Sequence, residues 1–367
     1  MRIPEVIQHI TTLYRAGARH TIFLQGEPGI GKSDAGKGAA LELKRGNPEH
    51  GIEPLPDFDL RQWQATIEDP LELPGLPAIV GGQAKRVPFE DKIPSSGHGI
   101  LIIDEINSAS TLTQASLYSL VWDRKLGGSI LGQDWMIIAT GNQDKDRAVT
   151  QRMPTPLVSR MEHLTVESDY EAWLIWMAVE GGHETVRAFI KYRPNLFVTF
   201  KPEIPGPFAT ARTWKMVSDL MFFYEKGSGS RRRKVTPPIQ SIEGWVGKGP
   251  AAEFMVYQTM AEGLVDLDTI IKDPNHADCP KDNPGALYAI TTGLAGRFNY
   301  NNCTNIMTYL ERMDKEYAIY CITSAREVEH GRITRMAEEE KKKYKKIRDN
   351  KTFLEWCVRN HDFVVEN

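Results

Sequence analysis

Glycine, lysine and serine occur at a spacing suited to holding phosphate groups in the octapeptide Gly26–Ser33, which reads GEPGIGKS. It fits the pattern G-x-x-x-x-G-K-[ST], in which backbone N–H groups of a glycine-rich loop surround the phosphates of a nucleotide. In that pattern Lys32 reaches the β- and γ-phosphates, and the hydroxyl of Ser33 binds Mg²⁺. The sequence therefore predicts a nucleotide site. Its predicted contacts are Gly26, Glu27, Pro28, Gly29, Ile30, Gly31, Lys32, Ser33 and Asp34.

Two carboxylates and an amide follow later apolar runs. Residues 99–105 read GILIIDE, and a continuous apolar run is typical of a fully buried parallel strand. We expect Asp104 to complete the Mg²⁺ site and Glu105 to orient and polarise an attacking water. Such roles are needed because phosphoryl transfer depends mainly on positioning and charge stabilisation. A second run, WMIIAT, leads to Asn142, which we expect to contact the γ-phosphate or the water.

These side chains need a fold that brings the ends of several strands together. The apolar run TIFL precedes the octapeptide, and SDAGKGAALELK after Lys32 has the pattern of a helix. The first turn of such a helix adds partial positive charge beside a phosphate. Strand and helix patterns alternate from residue 1 to about 166, which predicts an α/β fold with a parallel sheet covered on both faces. Polar groups after parallel strands then meet at one edge of that sheet.

Beyond residue 166 the pattern becomes helical. We predict a helical lid over residues 167–228 and a flexible linker, rich in glycine, serine and basic residues, over 229–238. A mostly helical C-terminal extension over 239–367 completes the chain and contains no recognisable active site.

The order of these motifs resembles that of the AAA+ ATPases, and specifically of their MoxR-like branch. The motifs that carry the resemblance are GEPGIGKS, ILIIDEIN, ATGN, PLVSRM and ATART. The segment DEINSASTLTQASLYSL is similar to the segment that follows the acidic strand in that branch. The resemblance extends from about residue 3 to about residue 224. It implies a P-loop AAA+ core with a parallel sheet, an α-helical lid, ATP and Mg²⁺ as cofactors, and hydrolysis of ATP.

The resemblance also assigns roles to two arginines. Arg160, in PLVSRM, matches the arginine finger that reaches the nucleotide of a neighbouring subunit. Arg147 and Arg152 lie nearby in the sequence and are alternatives for that role. Arg212, in ATART, matches the second sensor at the start of a lid helix. Arginine suits both roles because its planar guanidinium stays charged and binds phosphate through two hydrogen bonds.

The resemblance implies that the protein assembles as a hexameric ring, which uses Mg²⁺-ATP to remodel a protein partner. In this branch the partner often carries a von Willebrand factor A domain. The alternative is a nucleic-acid motor on the same core: a helicase, a helicase loader or a restriction-type translocase. A third interpretation, a nucleotide-gated scaffold with little turnover, is disfavoured by Glu105 and Asn142.

Two glycine pairs predict β-hairpins inserted in the α/β region. IVGGQAKRVP covers residues 79–88, and RKLGGSIL covers residues 124–131. In the family, hairpins at these places project toward a central pore and touch the substrate. The residues expected to face such a pore are Lys85, Arg86, Arg124 and Lys125.

Composition indicates a soluble enzyme of the cytoplasm. The chain has 367 residues and a formal net charge of −3, which gives no overall attraction to nucleic acid or to an anionic membrane. Its cysteines are widely spaced and form no C-x-x-C pair, so we expect ordinary thiols. They are Cys279, Cys303, Cys321 and Cys357. The N-terminal segment is neither a signal peptide nor a membrane span, and no other stretch is long enough to cross a bilayer.

Overall fold

The computed structural model describes residues 1–47, 50–89, 92–143, 153–227, 236–261, 266–280, 283–336 and 338–360. The chain divides into two compact units. The first comprises residues 1–169 and 200–205, and the second comprises residues 170–199 and 206–367. The segments predicted as lid and as C-terminal extension thus contribute to the same unit.

The first unit is a parallel sheet with helices on both faces, as the alternating sequence pattern predicts. Its elements are α1 (Ile3–Arg15), β1 (Thr21–Gln25), α2 (Lys32–Arg45), β2 (Asp59–Gln64), β3 (Leu76–Val80), β4 (Gln83–Val87), β5 (His98–Asp104), α3 (Thr111–Ser116), α4 (Tyr118–Asp123), β6 (Lys125–Leu126), β7 (Ser129–Ile130), β8 (Asp134–Gly141), α5 (Thr155–Val158) and β9 (Met161–Thr165). The five-stranded sheet has the order β2-β5-β8-β1-β9, and every neighbouring pair in it is parallel.

Side chains of the central strands alternate between two hydrophobic cores. Leu101 and Ile103 of β5 belong to the core on one face, while Ile100 and Ile102 belong to the core that contains α1 and α2. This period of two is the geometry of a strand, and burial on both faces explains why β5 is continuously apolar. Because β1, β5 and β8 run parallel, their carboxyl ends lie at one edge of the sheet, and each is followed by a polar segment.

Both predicted hairpins are present. In the first, β3 and β4 pair from Leu76↔Val87 to Val80↔Gln83, so it begins three residues before the predicted start at residue 79. Gly81 and Gly82 form its turn with φ of 60° and 78°, positive values that the favoured two-residue hairpin turn requires. In the second hairpin, β6 and β7 flank Gly127, where a Cβ atom would lie 1.9 Å from the carbonyl oxygen of Pro74. The second hairpin therefore packs tightly on the segment that leads into the first.

The arginines of these hairpins have structural contacts. Arg124 has φ of 59° after α4, and its guanidinium donates hydrogen bonds to the carbonyls of Arg19 (3.1 Å), Gly132 (2.6 Å) and Trp135 (2.6 Å). Burial, reinforced by the positive charge of Arg19, lowers the pKa of Arg124. The prediction that Arg124 faces a pore is therefore wrong, because its donors hold the connection into β8.

Arg86, on β4, remains exposed, but it also donates to main-chain carbonyls, those of Leu71 and Gly75, at 2.9 Å each. Of the four basic residues predicted to line a pore, Lys85, Arg86 and Lys125 are thus exposed.

The second unit is helical in the residues that the structure describes. Its helices are α6 (Tyr170–Val179), α7 (Glu184–Tyr192), α8 (Ala211–Gly227), α9 (Ile239–Val246), α10 (Lys248–Ala261), α11 (Leu267–Lys272), α12 (Pro284–Arg297), α13 (Cys303–Leu310), α14 (Lys315–Arg335), α15 (Glu338–Lys343) and α16 (Lys351–Arg359). Phe189 lies in one core with its ring centroid 5.3 Å from that of Trp214 and 5.2 Å from that of Phe254. A second core gathers residues of α11 to α14 and α16.

The cysteines of this unit are free thiols, as predicted, and Cys303 and Cys321 are buried. Desolvation raises the pKa of Cys303 to about 12, which keeps it as an unreactive thiol. Of the helices within the described ranges, none is at once long enough and apolar enough to cross a membrane.

Candidate nucleotide site

The phosphate-binding octapeptide forms the connection between β1 and α2. Gly29 and Gly31 have φ of 75° and 102°, in the left-handed region that glycine adopts without steric cost. Gly26 has a different constraint, because a Cβ atom there would lie 2.6 Å from the carbonyl oxygen of Val166 and 2.8 Å from the Ile30 side chain. The glycines of the motif are thus required by backbone conformation at two positions and by close packing at the third.

The first turn of α2 offers main-chain donors to an anion. The helix starts at Lys32, and its N-cap residue, Gly31, has no side chain that could accept a hydrogen bond from the first N–H groups. A helix of 14 residues also carries partial positive charge at this end. This combination of main-chain N–H donors and positive charge fits a phosphate group.

The ammonium group of Lys32 lies inside the loop. Its Nζ donates to the carbonyls of Gly26 (2.7 Å) and Glu27 (2.8 Å) and to Oδ1 of Asn142 (3.2 Å). The last contact joins the start of α2 to the residue that follows β8. The structure thereby brings together two residues that the sequence places more than a hundred positions apart.

Asp104, at the end of β5, is the most heavily bonded carboxylate of the site. It is 6% exposed, and its Oδ1 accepts hydrogen bonds from Ser33 Oγ at 2.5 Å and from Thr140 Oγ1 at 2.9 Å. Its Oδ2 accepts a hydrogen bond from the side-chain amide of Gln62 on β2. A hydroxyl and a carboxylate oxygen side by side are hard oxygen ligands, which fit the Mg²⁺ predicted for this position.

Glu105 continues from Asp104 in an unusual backbone conformation. Its φ of 57° and ψ of 40° lie in the left-handed region, which is sparsely populated by residues other than glycine. The N–H of Glu105 donates to Thr140 Oγ1 at 3.2 Å, so β8 supports the bend. The side chain is exposed, so its carboxylate is available to a water at this edge of the sheet. Strained backbone at a functional carboxylate is a recurring feature of active sites.

Asn107 is a site residue that sequence reasoning missed. It is 2% exposed, its Nδ2 donates to the carbonyl of Asn142 at 2.6 Å, and its Oδ1 accepts from the N–H of Asn142 at 3.2 Å. A Cβ atom on Gly141 would lie 2.4 Å from Asn107 Oδ1, so glycine is needed before Asn142 for this contact. Asn107 and Thr140 stood inside the recognised motifs, whereas nothing in the sequence around Gln62 pointed to the site.

Arg160 lies at the opposite end of the sheet from the phosphate-binding loop. It precedes β9, whose first residue, Met161, pairs with Thr21 at the start of β1. The loop begins at Gly26, after the end of β1, which separates the two positions by roughly 20 Å at about 3.3 Å per residue. The guanidinium of Arg160 donates to the carbonyl of Pro156 at 2.7 Å. The alternatives Arg147 and Arg152 lie outside the described residues.

Arg212 belongs to the second unit, where it occupies the first turn of α8 and is exposed. The start of this helix is fixed by two reciprocal hydrogen bonds between Thr210 and Thr213. The N–H of Thr210 donates to Thr213 Oγ1 at 2.8 Å, and the N–H of Thr213 donates to Thr210 Oγ1 at 3.2 Å. These reciprocal hydrogen bonds resemble a capping box, and they fix the backbone of the helix turn that carries Arg212.

The chain matches no protein-family model, and comparison with curated proteins finds no match. Its fold is similar to several solved structures. A mutant of RuvB from Thermotoga maritima is 15% identical, with 80% of this chain and 81% of that chain covered and a TM-score of 0.39. NtrX from Brucella abortus in complex with ATP is 13% identical, with 88% and 66% covered and a TM-score of 0.39. Domain III of the Thermotoga maritima replication initiation protein DnaA is 14% identical, with 64% and 88% covered and a TM-score of 0.38.

Proposed function

We propose that the chain is a Mg²⁺-dependent AAA+ ATPase of the MoxR-like type, which works as a ring and remodels a protein partner. The single observation that carries the proposal is the convergence of Lys32, Ser33, Asp104 and Asn142 at one edge of the sheet, with contacts of 2.5 to 3.2 Å. In this set Lys32 supplies a cation for the phosphates, Ser33 and Asp104 supply two metal ligands, and Asn142 supplies an amide. Glu105 is next to Asp104 in the chain. The chemistry that needs all of these groups together is phosphoryl transfer from a nucleotide.

Each side chain has a separate task in the proposed mechanism. Bound Mg²⁺-ATP supplies the phosphoanhydride bond and the metal charge. With the nucleotide bound, Lys32 would exchange main-chain carbonyl oxygens for phosphate oxygens, and Ser33 with Asp104 would hold the metal. Glu105 accepts a proton from water as the general base, and Asn142 helps to orient that water or the γ-phosphate. Gln62 and Thr140 keep the Asp104 carboxylate in position through their hydrogen bonds.

The surface of the first hairpin favours a protein partner over nucleic acid. On β3 and β4, Ile79 is 75% exposed, and Leu76, Val80 and Val87 are also exposed. A nucleic-acid motor would present cations to phosphates, but this hairpin carries two: Arg86, which donates to main-chain carbonyls at its base, and Lys85, which is exposed. Exposed apolar side chains on a hairpin suit contact with an unfolded or partly folded polypeptide.

The function is tested by steady-state hydrolysis of ATP at low ionic strength. We expect turnover that requires Mg²⁺ and that neither single-stranded nor double-stranded nucleic acid stimulates. Low salt is chosen because phosphate contacts are strongest there. Several-fold stimulation by either nucleic acid would contradict the protein-remodelling role and favour the nucleic-acid motor. Absence of any Mg²⁺-dependent turnover would contradict the ATPase itself.

Replacing Ile79 with aspartate should separate the hairpin from the catalytic site. We expect basal ATP hydrolysis to stay within about twofold of the parent chain, because the side chain is exposed on β3 and has no role in the site. Binding of an unfolded polypeptide, measured with a fluorescently labelled denatured protein, should fall at least about tenfold. The matched control is Ile67→Asp, which introduces the same charge at another 75% exposed isoleucine outside the hairpin. Equal loss of polypeptide binding in both variants would argue against a specific role for the hairpin.

A further inference from the structure

A cavity of about 600 Å³ opens within the second unit, between α6, α7, α12 and α14. Its walls include apolar side chains of α6, α12 and α14, among them Leu174, Ala295, Ile319 and Val328, whereas α7 contributes Arg187 and Lys191. This volume is within the range of sites that hold small organic molecules. All of its lining residues belong to the second unit, whereas the phosphate-binding loop belongs to the first.

A buried cation lies in the wall of this cavity. Arg187 of α7 is only 5% exposed, and its Nε donates to the carbonyl of Gly182 at 3.3 Å. Within the described ranges, no carboxylate approaches its guanidinium closely enough for an ion pair, and its two Nη nitrogens make no hydrogen bond. The nearest acid on the same helix, Glu184, is engaged by Arg297 at 3.1 Å.

The packing around Arg187 keeps its guanidinium in this position. On α12, a Cβ atom at Gly296 would lie 2.8 Å from Nη2, so a glycine is required for the guanidinium to lie against that helix. Burial lowers the pKa of Arg187, with the charge of Glu184 acting in the opposite direction. A charge on a side chain that is only 5% exposed is poorly solvated, and a ligand anion that reached it in the cavity would offset that cost.

The other charged groups of the cavity are arranged by depth. Its acids, Glu171, Glu316 and Glu327, are exposed and therefore solvated. Lys191 pairs with Glu171 at 3.3 Å, and its Nζ lies 4.4 Å from the ring centroid of Tyr320. Lys315 is exposed at the rim. The buried part of the cavity thus carries positive charge, and the negative charges lie where water screens them.

We propose that this cavity binds a small organic anion, whose oxyanion group pairs with Arg187 and whose nonpolar part lies on the apolar walls. A phosphate or a carboxylate satisfies this description, because the planar guanidinium offers either group two parallel hydrogen bonds. Tyr320 and Thr292, whose hydroxyls lie 3.2 Å apart beside the cavity, supply further polar contacts.

The test is isothermal titration of the full chain with three probes of similar size: phenyl phosphate, phenylacetate and uncharged benzyl alcohol. We expect at least one anion to bind more tightly than the alcohol, and the tighter of the two identifies phosphate or carboxylate as the preferred group. Arg187→Met should weaken that binding at least about tenfold, because the charged hydrogen bonds are lost. Its melting temperature without ligand should not fall, since an apolar side chain replaces an unpaired buried charge.

A surface substitution keeps the test decisive if Arg187→Met does not fold. Lys315→Glu reverses a charge at the exposed rim and should weaken anion binding several-fold. Its matched control, Lys272→Glu, makes the same change at an exposed residue of α11 that does not line the cavity, and should have no effect. The proposal is overturned if neither anion binds more tightly than benzyl alcohol. It is also overturned if the anion affinity is unchanged in Arg187→Met, or in Lys315→Glu where only that variant folds.

Discussion

Lys32→Ala should abolish ATP binding, whereas Glu105→Gln should bind ATP and hydrolyse it roughly 10²- to 10⁴-fold more slowly. The two outcomes differ because the residues act at different stages. The Lys32 ammonium is the cation inside the loop, where it already contacts the carbonyls of Gly26 and Glu27 at 2.7 and 2.8 Å. Glu105 lies outside the loop, at the end of β5, and its glutamine variant keeps the size of the side chain but cannot take a proton from water.

Equilibrium binding of a fluorescent ATP analogue, measured beside phosphate release, checks both parts of this prediction. Two variants serve as matched controls, because they make the same changes at exposed residues of the first unit: Lys44→Ala on α2 and Glu72→Gln before the first hairpin. Both should bind and hydrolyse ATP like the parent chain. Full turnover by Glu105→Gln would remove Glu105 from the catalytic assignment while leaving the nucleotide site intact.

Arg160→Ala should bind ATP with near-normal affinity and hydrolyse it roughly 10³- to 10⁵-fold more slowly, the range of an arginine finger. The geometry of the first unit supports action on a neighbouring subunit. Arg160 precedes β9 at the amino end of the sheet, and the phosphate-binding loop follows β1 at the carboxyl end. The separation of roughly 20 Å is longer than an arginine side chain. Activity per subunit should therefore rise with protein concentration as subunits assemble.

A mixture of Arg160→Ala and Glu105→Gln tests the assignment more sharply than either variant alone. Each variant is nearly inactive, but a mixed ring contains interfaces where an intact Glu105 faces an intact Arg160. We expect partial recovery of turnover in the mixture, measured by phosphate release. The control variant Arg45→Ala, at an exposed arginine of α2, should be active by itself. A mixture that co-assembles and stays inactive would contradict action in trans and would direct attention to Arg147 or Arg152.

The parts of the fold that follow local patterns could be predicted from the sequence. β1, β5 and β8 lie where continuous apolar runs indicated buried strands, and both hairpins lie at the glycine pairs, because strand burial and turn conformation depend on neighbouring residues. The carboxyl-edge rule for parallel strands then predicted that Lys32, Asp104 and Asn142 would meet.

Contacts between distant segments could not be predicted in this way. Gln62 reaches Asp104 only because β2 pairs with β5, and an isolated glutamine gives no signal of that pairing. Arg124 looked like a free surface cation beside a turn, yet its donors satisfy three carbonyls that come together only in the folded unit. The sequence therefore did not show that Arg124 would differ from Lys85, Arg86 and Lys125, which are exposed.

Asn107 connects the segment that follows β5 to the segment that follows β8. Its side-chain amide exchanges two hydrogen bonds with the main chain of Asn142, which is the pattern of two residues facing each other across a sheet. The amide thus acts as an extra rung between β5 and β8, beyond their last paired residues. These two hydrogen bonds connect the segment between Glu105 and α3 directly to Asn142, which also contacts the ammonium group of Lys32. We therefore expect a change in the position of Asn142 on nucleotide binding to shift the β5–α3 connection as well.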